Sequence, residues 1–79
     1  MGAQTRAREV VASIQPGLYE HYKGGRYEVI SIAVHSETHE TLVVYRSLAD
    51  SRIWVRPVAM FVESIWVVGR FVPRFRRVG

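Results

Sequence analysis

From Leu18 onward, apolar residues alternate with polar ones or bunch into short runs that stop at glycine, proline or polar clusters, as β-strands do. Ahead of them the period is different. Ala7, Val10, Val11 and Ile14 fall at i, i+3, i+4 and i+7, with Thr5 placed to cap and Pro16-Gly17 to stop, which predicts a short amphipathic helix over residues 5–14. About ten residues are too few to hold a helix in water, so its stripe needs a surface to lie on.

LYEHY and RYEVISIAVH flank Lys23-Gly24-Gly25, and the two glycines supply the positive φ that a tight hairpin turn demands. In the second run Tyr27 and Val29 share one parity, while Ile30, Ile32 and Val34 share the other. Either a bulge shifts the register or both faces are covered. TLVVYRSL is too apolar for a strand with one wet face and should be central. IWVRP ends at Pro57, which cannot donate to a ladder, and MFVESIWVV is broken by Gly69. RFVPRFRRVG reads as an extended basic tail whose Phe71 and Phe75 pack back on the body, and a chain cut before Arg74 is expected to keep its fold. Five short strands predict a mainly β domain, a small SH3-like antiparallel barrel whose closure removes exposed edges. The expectation is one domain over residues 1–79: helix 5–14, barrel core 17–68, basic tail 69–79.

Length and composition narrow the functions. A chain of 79 residues buries only about 60% of the surface its unfolded form exposes, which leaves room for one compact core and nothing more. Cysteine is absent, which excludes a disulfide framework, thiolate metal ligation and a cysteine nucleophile, and favours the cytoplasm. No run is apolar enough for a signal peptide or a membrane span. The net charge is +4, and four arginines without an intervening acid, Arg70, Arg74, Arg76 and Arg77, stand in the last ten residues. The rest of the chain is therefore neutral, and these four are the candidate nucleic-acid contacts.

GLYEHYKGGRYEV (residues 17–29), IAVHSETHETLVVYRSL (32–48), WVRPVAMFVES (54–64) and PRF (73–75) resemble the signature blocks of the bacterial family called domain of unknown function 1653. The resemblance implies an SH3-type barrel, in agreement with the strand pattern, and no established activity. It departs at LADSR, residues 48–52, where family members often carry a longer, aromatic-containing linker.

The densest chemistry is HSETHE, residues 35–40. A metal site there would need His35 and His39 joined by Glu37 or His21, but the spacing is not that of a helical zinc motif and no third ligand is fixed nearby. Ser36 as a nucleophile lacks a base on its own strand face and an oxyanion hole. The expected state is an ordered turn tied by its hydroxyls and by an arginine, Arg56 reaching back to Glu37. His35, Ser36, Glu37 and Thr38, with Tyr22 and Arg56, are the candidate ligand-binding residues; no catalytic residue, metal or cofactor is assigned. Tyrosines and tryptophans interleaved with arginines point to a cytoplasmic, non-enzymatic binding module for single-stranded nucleic acid or a peptide. The alternative is a small enzyme or metal- or ligand-binding domain using the HSETHE turn.

Overall fold

A computed structural model describes residues 14–79. Except for Ile14, the predicted N-terminal helix lies outside the described residues; Ile14 itself is buried in the core. Seven strands and one short helix follow: β1 (Gly17–His21), β2 (Arg26–Val34), β3 (Thr41–Ser47), β4 (Ile53–Pro57), α1 (Val58–Phe61), β5 (Ser64–Val67), β6 (Arg70–Pro73) and β7 (Phe75–Arg77). Five form one antiparallel sheet in the order β4-β3-β2-β1-β7, and β5 and β6 form a separate hairpin.

The predicted closed barrel is corrected by this order. β4 and β7 stand at opposite edges of an open sheet and do not pair. Closure would need β4 to continue toward the other edge, but Pro57 ends it without an N–H and the chain enters α1 at once. The apolar face that a closed barrel would wrap is covered instead by α1, whose Val58 and Phe61 are buried.

Register fixes which side chains share that face. Gly24 and Gly25 take φ of 95° and 85°, and the turn they make sets Tyr19 opposite Tyr27. A register shift between Val29 and Ser31 makes Ile30 the extra residue, which settles the parity conflict: Tyr27 and Val29 face inward before the bulge, and Ile32 faces inward after it, opposite Val43. Ile30 is left exposed. β3 lies between β2 and β4, as its apolar run predicts, and Val43 is fully buried.

The last eleven residues are not a free tail. β7 adds to β1 with Phe75 opposite His21, and Phe75 joins the core with Tyr19, Val29, Val43, Tyr45, Val58 and Phe61. Phe75 and Phe61 stack with centroids 4.3 Å apart, and Tyr27 and Tyr45 meet Phe75 edge-on at 5.7 and 5.6 Å. Phe71 was expected to pack back as well; it is two-thirds exposed. Among the described residues, no helix is long and apolar enough to cross a membrane.

Candidate functional site

The HSETHE turn is fastened by its own groups. The His35 N–H donates to the Glu40 carbonyl at 2.8 Å and the His39 N–H to the His35 carbonyl at 2.9 Å. The His35 Nδ1 accepts the N–H groups of Glu37 and Thr38, and the Thr38 Oγ1 accepts that of Glu40. The imidazole therefore does what an aspartate does in an Asx turn, a role the sequence assigns to the hydroxyls together with an arginine. His21 repeats the device in the other hairpin, its Nδ1 accepting the Lys23 N–H at 3.2 Å. A histidine two residues ahead of a turn N–H is the signal that the sequence reading missed.

Arg56 does not reach this turn. It pairs across the ladder with Val43, so its side chain lies on the inner face, where Nε donates to the Tyr45 hydroxyl at 3.4 Å and the guanidinium sits over the Phe75 ring. Tyr45 is two positions farther from the turn than Val43, and this direction leads the arginine away from Glu37. His21 belongs to the opposite end of β2, nine residues or about 30 Å of strand from His35. The six residues proposed as one ligand site are thus three separate places: the exposed turn with His35, Ser36, Glu37 and Thr38, then Tyr22, then Arg56. Among the described residues, no group of three or more His, Cys, Asp or Glu side chains could hold a metal ion.

Tyr22 opens onto a cleft of about 940 Å³ between the β1–β2 turn and the β5–β6 hairpin, where it meets Lys23, Arg70, Phe71 and Arg76. Of the four arginines singled out by charge, Arg70 and Arg76 line this cleft. Arg76 also bonds Glu20 at 3.1 Å. Arg74 is structural: its carboxylate partner is Glu63 at 2.8 Å, its N–H donates to the Glu63 carbonyl, and its own carbonyl accepts the Tyr22 N–H. It links the hairpin to the sheet at the cost of one buried Nε that has no partner among the described residues. Arg77 donates to the Pro16 carbonyl at 3.3 Å. Trp66 and Phe71 cross the β5–β6 hairpin edge-on at 4.9 Å, both about two-thirds exposed.

A second pocket of about 270 Å³ opens on the inner face beyond the reach of α1, lined by Tyr27, Tyr45, Ser47, Asp50, Trp54 and Arg56. Asp50 accepts the Arg52 N–H at 3.0 Å, and this bond, more than any other influence, holds its carboxyl below the ordinary range. Arg52 stacks over Trp54 at 5.6 Å.

His21 lines the larger cleft and lies edge-on to Phe75 at 4.9 Å. Burial first, then the positive charges of Arg74, Arg56 and Lys23, lower its pKa from 6.5. The unfolded chain therefore binds this proton more tightly than the folded one, so the His21 contribution is intact above pH 6.5 and is lost as pH falls toward the lowered folded value. Thermal melts from pH 7.5 downward should show wild-type stability falling below about pH 6.5, with a shallower fall in His21→Phe. Equal slopes in the two proteins would remove His21 from the account.

An open, mainly antiparallel β domain with two aromatic-walled hollows is the class these features define. The family described as protein of unknown function (DUF1653) matches residues 17–77, and the chain belongs to it. It is also similar to a crystal structure of a DUF1653 protein from Bordetella bronchiseptica, with 32% identity over 87% of this chain and 92% of that one, and a TM-score of 0.81. No curated protein matches the chain.

Proposed function

We propose that the domain is a non-enzymatic binding module for single-stranded nucleic acid, held in the cleft between the β1–β2 turn and the β5–β6 hairpin. The observation that carries this reading is the exposed Phe71 ring, with Tyr22 in the same cleft, beside Lys23, Arg70 and Arg76. Rings accept any base by stacking and cations follow the phosphates, a combination that suits a strand better than an uncharged peptide. Arg70 has no carboxylate partner among the described residues, so its charge is available. His21 is kept neutral at pH 7, which leaves recognition to the permanent cations.

A uridine octamer, free of guanine, tests the reading by amide-shift titration at about 50 and 200 mM salt. Shifts should gather at Tyr22, Lys23, Arg70 and Phe71 and weaken at the higher salt. Arg70→Ala should shallow the logarithmic salt slope by about 0.7, the loss of one phosphate contact. Phe71→Ala should cost about 1–3 kcal/mol of affinity with the slope unchanged. No cleft shifts with the octamer would sink the proposal, and cleft shifts with an extended peptide alone would replace it with a peptide reading.

A further inference from the structure

The smaller pocket has an arrangement that the cleft does not use. Arg56 spends its Nε on Tyr45 and its flat face on Phe75, and its two terminal nitrogens have no partner among the described residues. Such a fork, already oriented by an aromatic ring and a hydroxyl, is built to hold two acceptors side by side. Asp50 lines the same pocket and is kept ionised, so it offers acceptors only. The walls between them are the Tyr27, Tyr45 and Trp54 rings, and Trp54 is about half exposed at the mouth. The volume, about 270 Å³, falls just below the range of drug-sized ligand pockets. It suits one flat ring system and excludes a folded peptide.

We infer that this pocket binds a single guanine base, with Arg56 on its O6 and N7, Asp50 on its N1–H and N2–H₂ edge, and the half-exposed Trp54 ring against one face. Guanine alone among the common bases places two acceptors on one edge and two donors on another. Arginine paired bidentately to O6 and N7 is the commonest specific contact to this base. Adenine would set an N6–H₂ donor against the cation and the N1 lone pair against the carboxylate, and each leaves a polar group unpaired or repelled. Pyrimidines have no N7 to meet the second nitrogen of Arg56. The base can belong to a strand or to a free nucleotide; the recognition chemistry is the same. This inference goes beyond the reading of the cleft and does not depend on it.

The test follows the Trp54 indole N–H and the pocket amides of the full chain while guanosine, GMP, AMP and ribose 5-phosphate are added. Guanosine and GMP should shift Trp54 with similar Kd, and AMP and ribose 5-phosphate should bind about tenfold more weakly or not at all. Asp50→Asn keeps an oxygen to accept the Arg52 N–H and removes the charge, so it should preserve the melt and weaken guanosine about tenfold or more. Arg56→Gln should weaken it similarly, with a melt taken to confirm folding. A uridine octamer with one terminal guanine, compared with the all-uridine octamer, shows whether the base is taken from a strand: tighter binding places it there, and equal binding alongside a guanosine response assigns the pocket to free nucleotides. Equal affinity for AMP and GMP would overturn the inference, and so would a response to ribose 5-phosphate matching that to GMP, which would make Arg56 a phosphate receptor. Because the all-uridine octamer probes only the cleft, its failure and the failure of guanosine are separate results.

Discussion

A chain ending before Arg74 is expected to lose its cooperative fold, giving a collapsed amide spectrum and no sharp thermal transition. The deletion removes three arginines and lowers the net charge from +4 to +1, and on charge alone that would be harmless. What it removes besides charge decides the outcome. Phe75 is 7% exposed and contacts the rings of His21, Tyr27, Tyr45 and Phe61; losing a buried phenylalanine by itself costs about 3–5 kcal/mol. β1 also loses its outer neighbour, including the pairs of Tyr19 with Arg77 and Glu20 with Arg76 and the bonds joining Leu18 to Val78 and Gly79. The Arg74 link to Glu63 and Tyr22 goes too, and with it the tether of the β5–β6 hairpin. A domain this small has a total stability on the order of 5 kcal/mol, near the low end for folded proteins, so these losses together exceed it. Arg76→Ala with Arg77→Ala in the otherwise full chain separates charge from structure and should still melt cooperatively. A truncated protein with native dispersion would return the segment to the status of a tail.

This expectation is the reverse of the one drawn from the sequence, and the reason is physical. Four arginines around Phe71, Pro73 and Phe75 read as a solvated end because the charge dominates the local composition. The segment does not alternate cleanly: Phe75 faces inward between Arg74 and Arg76, Arg76 faces outward onto Glu20, and Arg77, on the same face as Phe75, snorkels to the Pro16 carbonyl. Strands β1 to β4 were legible because strong local signals bound them, namely Gly-Gly, the polar HSETHE cluster and Pro57, although the part His35 plays in its turn was not. The bulge at Ile30 was legible as a parity conflict, although only pairing to β3 decides it. Barrel closure was not legible, because whether β4 meets β7 depends on long-range placement and on four residues of helix too short to show a period. The site divides in the same way. Tyr22, Arg70 and Arg76 were singled out for chemistry, and the fold gathers them at one cleft. The direction of Arg56 needed the register: a strand residue opposite Val43 must face the core side, and no composition argument contains that fact.

Phe61→Ala is expected to be the most damaging single substitution in the described chain, costing about 3–5 kcal/mol in chemical denaturation. α1 has four residues, no side-chain cap and no acidic residue in its first turn, so nothing local keeps it helical. It stays on the sheet because Phe61, 2% exposed, stacks on Phe75 and contacts the Tyr19 and Tyr45 rings at 5.4 and 5.8 Å. Alanine would keep the helix propensity and delete the anchor, so the loss measures packing and not backbone preference. It would also open the inner face beside Tyr45, the wall shared with the smaller pocket, and guanosine affinity should fall together with stability. Met60→Ala on the same helix is the control: Met60 is 44% exposed, and its removal should change stability by about 0.5 kcal/mol or less. Phe61→Leu should fall between the two, since it refills much of the volume without the stack. If Phe61→Ala and Met60→Ala melted alike, α1 would not be the cover of the open sheet, and the exposed inner face would need another one.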